Sequence, residues 1–252
     1  MLRHIQAACG CHIGKLRKNN EDNYVFDRKC LSEDHNEPIS TLSMEGFLRN
    51  GTQAAVFDGM GGENFGELAS WAAAREMTGI KMRLADYLAP EKYVNELTQR
   101  LHRAVVAAQQ QMHTEYMGTT MVSLHLIGSH AYVCNVGDSR GYCLRNKVLT
   151  QLSHDHVANR PLRPERKAPL TQHLGYGGGE IQLKPHVAKI AIRRGDIFLL
   201  CSDGLTDLLH ESEISDILCA GYSAVDCVDK LIQAAMEHGG RDNITVMIYR
   251  ID

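Results

Sequence analysis

The chain is predicted to be an α+β protein, an αββα four-layer sandwich of two antiparallel sheets flanked by helix pairs. Three observations predict it. Short apolar, β-branched runs come in groups, helical stretches come in pairs, and connections as tight as Ile127-Gly128-Ser129-His130 join successive strands. A link of that length closes a hairpin and is too short for the crossover that a parallel pair needs. The grouping argues for antiparallel sheets and against βαβ units.

In chain order, the expected strands are Tyr24–Phe26, Ala54–Phe57, Thr120–Ile127, Ala131–Val136, Val187–Ile192, Ile197–Cys201 and Ile244–Tyr249. Residues 63 to about 88, rich in Ala, Glu, Leu, Met and Arg, read as helix. Pro90 breaks that stretch, and 91 to about 113 resumes it. Two more helices are expected at Glu211–Cys219 and Ser223–His238, the second with Ser223 as a natural N-cap. Two segments read as loops: 28–51, a polar insertion of mixed charge, and 153–184, rich in Pro, Arg and Gly. A single domain over 1–252 is expected, because no Pro/Ser-rich linker divides the chain and no repeat is visible.

Composition narrows the function classes. With 252 residues and 44% hydrophobic content, the chain can bury a large core without disulfides or a structural metal. A formal net charge of -3 gives no reason to expect a nucleic-acid partner, which usually demands a basic face. The opening residues lack the apolar core of a signal peptide, and no apolar run has the length of a membrane span. The protein is therefore read as cytoplasmic, with no membrane partner. Eight cysteines suit a disulfide framework only in a short secreted chain, so reduced and mostly buried thiols are expected. Cys9-Gly10-Cys11-His12 looks like half a zinc site, but no second ligand pair follows at suitable spacing.

The informative pattern is where aspartates stand. Ala54-Ala55-Val56-Phe57 runs straight into Asp58-Gly59, Phe198-Leu199-Leu200-Cys201 into Ser202-Asp203-Gly204, and Val133-Cys134-Asn135-Val136 into Gly137-Asp138. Gly239-Gly240-Arg241-Asp242 opens the last strand. An aspartate beside glycine often serves only a turn. Four carboxylates at the ends of apolar strands are harder to explain that way, since each is costly unless paired or coordinated. If the strands are neighbours, the acids converge. Oxygen ligands without organised His or Cys select hard cations, Mg²⁺ or Mn²⁺. Two such ions against Asp58, Asp203 and Asp242 leave one positive charge for a phosphate dianion. Ions roughly 3.5–4 Å apart can share a water and make it a nucleophile near neutral pH. Glycine at 59 lets a metal reach the main-chain carbonyl. Upstream, Arg17 suits a bidentate grip on phosphate oxygens, and Glu21-Asp22 supplies a further acidic pair.

These residues resemble the PPM (PP2C-type) serine/threonine protein phosphatases in their bacterial form. The matching segments, in order, are Arg17-x-x-Asn20-Glu21-Asp22, then Val56-Phe57-Asp58-Gly59-Met60-Gly61-Gly62 with Gly66-Glu67-x-Ala69-Ser70. Gly118-Thr119-Thr120, Val136-Gly137-Asp138-Ser139-Arg140 and Asp155-His156 come next. Cys201-Ser202-Asp203-Gly204-Leu205-Thr206-Asp207 and Asp242-Asn243-Ile244-Thr245 complete a series that spans nearly the whole chain.

The resemblance implies the same αββα sandwich. It implies that Asp58 bridges two Mn²⁺ or Mg²⁺ ions, that the Gly59 carbonyl helps hold the second, and that Asp203 and Asp242 complete the first. Glu21 and Asp22 would act largely through metal-bound waters. Asp138, with Asp203, would hold a weaker third ion, and Arg17 would grip phosphate. The implied reaction is direct attack by metal-activated water on phosphoserine or phosphothreonine, without a phosphoenzyme. Phosphorylated proteins, among them a kinase and its substrates, are the implied partners. Two departures stand out. Met60 occupies the place where eukaryotic relatives carry a histidine after Asp-Gly. The flap region within 153–184 is shorter than usual, and its Arg160, Arg163, Arg166 and Lys167 are candidates for reading charge around a phosphorylated residue.

Rival chemistries fit less well. Cys134-x5-Arg140 and Cys11-x5-Arg17 both have cysteine-phosphatase spacing, but no activating histidine precedes either cysteine. Gly137-Asp138-Ser139-Arg140-Gly141 matches a serine-hydrolase elbow, yet a strand-like Tyr142-Cys143-Leu144-Arg145 follows where a helix is required. Gly175-Tyr176-Gly177-Gly178-Gly179 lacks the lysine and helix of a nucleotide loop and reads as a turn. His154 and His156 are read as structural or flap-positioning. A non-catalytic phosphoprotein-binding module is disfavoured because every aspartate is in place.

Overall fold

Alternation along β4 (Thr52–Met60) shows how the layers form. Ala54 and Val56 point into the space between two sheets, while Ala55 and Phe57 point at helices. The computed structural model describes residues 3–36, 40–61, 65–114, 116–159, 167–179 and 181–252. Its first sheet runs in the order β3 (Leu42–Phe47), β1 (His4–His12), β12 (Ile244–Ile251), β11 (Ile197–Cys201), β8 (Arg140–Arg145), β9 (Val148–Gln151). The second runs β10 (His186–Ala191), β7 (His130–Val136), β6 (Met121–Ile127), β4, β2 (Asp22–Val25), with β5 (Gly118–Thr119) paired to the end of β4. Every pairing is antiparallel.

Helices α1 (Gly66–Gly79) and α3 (Pro90–Gln111) cover the second sheet through an apolar layer that includes Phe57, Leu101 and Met121. Helices α5 (Glu211–Cys219) and α6 (Ala224–Glu237) cover the first through Leu199, Leu231 and Ile248. Between the sheets lies a third apolar layer, with Val56, Phe198 and Tyr249 among its members. The order helix, sheet, sheet, helix is the one the sequence predicts.

Where elements differ from expectation, the residues explain it. β1 has too few β-branched residues to announce a strand; small residues serve instead, because α6 crosses closely over it. A Cβ on Gly10 would lie 2.7 Å from Ile232 and 2.8 Å from Val228. β3 falls inside the segment 28–51 expected as loop, and β8 and β9 form a hairpin only partly foreseen. The helical stretch expected over 63–88 divides into α1 and α2 (Leu84–Leu88). Pro90 does not interrupt a helix but opens α3, at a position where its missing N–H costs nothing. Ser223 caps α6 as expected, its hydroxyl accepting from the Asp226 amide at 3.1 Å. The CGCH run lies within β1, where Cys9 and Cys11 are buried.

Candidate metal-binding active site

At one end of the sandwich, the inner faces turn from apolar to acidic within a single pleat. On β4, Val56 is followed two residues later by Asp58; on β2, Tyr24 is preceded by Asp22, the register partner of Asp58. Asp203 follows directly on β11 and opens a short helix, α4 (Asp203–Thr206), while Asp242 stands just ahead of β12. Asp138 follows β7. A cleft of about 500 Å³ opens there, lined by Arg17, Glu21, Asp58, Asp138, Asp203 and Asp242, with Gly59 beneath. Of the predicted ligands, Asp22 alone does not line it.

Backbone and hydroxyl bonds fix these acids. The Asp58 amide donates to the Thr120 hydroxyl (3.1 Å), and the Asp58 carbonyl accepts from the Thr119 hydroxyl and the Thr120 amide, both at 2.9 Å. The Gly59 amide donates to the Glu21 carbonyl at 3.1 Å. A Cβ at 59 would lie 2.1 Å from the Gly66 carbonyl oxygen, so only glycine fits this crossing of β4 and α1. Asn243 ties the remaining strands together: its side-chain amide donates to the Ile13 and Asn19 carbonyls and its oxygen accepts from the Glu21 amide. Nothing in the local sequence around Asn243 announces this task, because its partners lie more than 200 positions away.

Glu21 and Asp22, expected to act alike, are placed differently. Glu21 faces the cleft. Asp22 is 1% exposed and receives the Ser202 and Thr245 hydroxyls, each at 2.7 Å, on one carboxylate oxygen. Its other oxygen is buried without a partner.

The electrostatics show an excess of negative charge. Burial, then Asp203, Asp22, Asp138 and Asp242, hold Asp58 well above the ordinary carboxylate range. Burial pushes Asp22 up to about 7 against its two hydroxyl bonds. Asp138 rises to about 6 through burial and then Asp203, with Lys167 opposing. Glu21 rises to about 7 through burial and then Glu67. Protein cations answer only part of this charge. Arg17 bonds Asp242 at 2.7 Å, and Lys167, from the flap, pairs with Asp203 at 2.5 Å and with Asp207. With two acids turned to these cations, no three metal-binding side chains converge on one point among the described residues. The donor set still fits hard divalent ions: carboxylates that repel one another, an orphaned buried oxygen on Asp22, and Gly59 among the lining residues. Arg17 and Lys167 would compete with such ions for Asp242 and Asp203.

Arg140 grips Asp155 from two nitrogens at 2.7 and 3.0 Å, and the Gly137 amide donates to His156 Nδ1 at 3.2 Å. Cys134 and Cys11 are buried and burial pushes both thiols up to about 12, which removes the thiolate chemistry. Ser139, in the elbow-like run, is buried against Thr120 at 2.6 Å and is followed by strand β8. Arg160, Arg163 and Arg166 lie outside the described residues.

The family model described as protein phosphatase 2C matches residues 11–166. The chain belongs to the protein phosphatase 2C family. This phosphatase is 33% identical to the serine/threonine phosphatase stp of Listeria monocytogenes over 256 residues, covering 95% of this chain and 93% of that one. Among solved structures it is similar to PppA of Pseudomonas aeruginosa, with 26% identity, a TM-score of 0.80, and coverage of 100% and 99%. It is also similar to the PstP catalytic domain in complex with two manganese ions, with 27% identity, a TM-score of 0.76, and coverage of 98% and 99%.

Proposed function

We propose that this phosphatase hydrolyses phosphoserine and phosphothreonine in proteins as a single domain, with two Mn²⁺ or Mg²⁺ ions held by Asp58, the Gly59 carbonyl, Asp203 and Asp242. The observation that carries the reading is the convergence of five acids from distant stretches of chain on one cleft that also holds Arg17. The names of the Listeria relative and of the manganese-bound PstP domain support the substrate class and the metal. When bound, the ions supply positive charge for phosphate and lower the pKa of water they share.

The chain's own groups do the rest. Arg17 orients the phosphate through its planar guanidinium. Water rather than a side chain is the nucleophile, as the family resemblance implies; a cleft lined by no cysteine, with the Thr120 hydroxyl engaged by Ser139 and the Asp58 amide, supports that reading. Glu21 faces that water. Asp22, bound by Ser202 and Thr245, holds β2 against β11 and β12 and turns its free oxygen to the same charge field. Asp138 and Asp203 are the place for a weaker third ion, where Lys167 now lies. Arg160, Arg163 and Arg166 on the flap read charge around the phosphorylated residue. In the cytoplasm, the substrates include a serine/threonine kinase and its targets; no helix among the described residues is long and apolar enough to cross a membrane.

An assay on phosphopeptides tests the reading: hydrolysis of the phosphoserine and phosphothreonine peptides, abolished by EDTA and restored by Mn²⁺, is the expected result. Full activity in chelator, or turnover of phosphotyrosine alone, refutes it.

A further inference from the structure

β4, β2 and α1 all run from the acidic cleft to a second opening at their far ends. There a cavity of about 280 Å³ lies between the sheets and the end of α1. Its walls combine apolar side chains, Ile5, Val25, Met44, Met77, Ile80 and Met82 among them, with polar ones such as Asn50 and Gln53. Its rim carries Arg28, Arg49 and Lys81, all exposed and none in an ion pair among the described residues, against a single acid, Asp27. Tyr249 closes it from the inter-sheet side. That residue is 1% exposed, and its hydroxyl is buried with no hydrogen-bond partner. The Tyr249 ring therefore serves as cavity wall, while its hydroxyl is sealed from solvent.

We propose that this cavity binds a small amphipathic anion: an apolar body with one carboxylate or phosphate at the basic rim. Burial of the body supplies affinity, and the few polar groups supply selectivity, as in ligand pockets generally. Net positive charge at the rim selects the anion over a neutral molecule of the same body. The site shares no lining residue with the acidic cleft, so phosphate and metal at the cleft leave it open.

Methionine methyl groups report occupancy directly, because Met44, Met77 and Met82 line the cavity while Met60 lines the cleft. Protein with ¹³C-methyl methionine is titrated with decanoate and decanol in the presence of Mg²⁺, which is diamagnetic, and inorganic phosphate. Saturable shifts at the three cavity methionines, with Met60 unmoved, are expected. Decanol should bind about tenfold more weakly than decanoate, and the Arg28→Gln/Arg49→Gln/Lys81→Gln triple variant should erase that preference. No saturable shift, shifts centred on Met60, or equal binding of decanol and decanoate to the unaltered protein overturns the proposal. Circular dichroism of the triple variant confirms that it is folded, and the unaltered protein alone suffices for the charge comparison.

Discussion

Asp22 and Asp58 are register partners across β2 and β4, and both lie on the face between the sheets, yet they serve that face differently. One is sealed by two hydroxyls; the other lines an open cleft. Two carboxylates so close, with Asp203, Asp138 and Asp242 around them, make the cleft a sink for positive charge.

Replacing Asp58 with Asn should therefore separate activity from stability. Turnover of a phosphopeptide should fall on the order of 10²-fold or more, since changes merely next to metal ligands cost up to that much. The metal-free variant should melt higher than the unaltered protein, by about 2–4 °C for each kcal/mol of repulsion removed. Calorimetry and an activity assay on the same sample check both. Normal turnover would contradict the bridging role.

Metal binding should depend on pH in a definite sense. Glu21 and Asp22 rise to about 7 and Asp138 to about 6 in the folded protein. Raised carboxylates favour the folded state below their unfolded pKa, near 4, and that contribution is lost as pH climbs through 6 to 7. Metal-free protein should thus lose stability over this interval. Mn²⁺, which competes with those protons, should raise the melting temperature more at pH 7.5 than at pH 5.5. An equal shift at both values would contradict the assignment.

Arg17 bridges the cleft to Asp242 at 2.7 Å and is half exposed, so its loss should not unfold the chain. Arg17→Ala should raise KM for phosphopeptide with a smaller change in kcat, and Arg17→Lys should recover only part, because a point charge cannot make two parallel bonds. Steady-state kinetics of both variants decide it. An unchanged KM in Arg17→Ala sinks the phosphate assignment.

His125, wholly buried in β6 and bonded to the Ser123 hydroxyl at 3.0 Å, is held down to about 4 by burial. Its depressed pKa means that the unfolded chain takes up a proton the folded one refuses. Its stabilising share is complete above about 6.5 and is lost as pH falls toward 4, at most about 3 kcal/mol. Urea unfolding of His125→Gln should show a shallower pH dependence across that interval than the unaltered protein.

Alkylation provides a contrast. Cys134 and Cys201 are buried, with thiols pushed up to about 12, and only Cys219 among the eight cysteines is exposed. Iodoacetamide at neutral pH should modify Cys219 first, read by mass spectrometry, and leave phosphatase activity intact.

Much of this site is legible in sequence because its acids stand where apolar strands meet glycine. Asp58, Asp203, Asp138 and Asp242 each mark such a junction, and hairpin geometry brings the junctions to one end. The strands easiest to read, such as Ile197–Cys201, are those whose apolar runs are unbroken. β1 is hard to read because contact with α6 demands small residues, and β3 because its alternation is confined to one edge of a sheet. Glu21 and Asp22 are adjacent letters with different fates, since Glu21 lies ahead of β2 and faces the cleft while Asp22 opens the strand and is sealed by hydroxyls. The pairing of Lys167 with Asp203 and Asp207, and the work of Asn243, join residues tens to hundreds of positions apart; no local pattern announces them.

The switch from Val56 to Asp58, and from Tyr24 to Asp22, also decides how the molecule comes apart. Oily contact binds the two sheets for most of their length but stops short at the cleft, where like charges push the layers apart and Ser202, Thr245, Asn243 and Asn20 stitch them together. Stripped of divalent ions, the sandwich should therefore open from that mouth inward, its β2 and β4 amides exchanging with solvent there long before the far end yields.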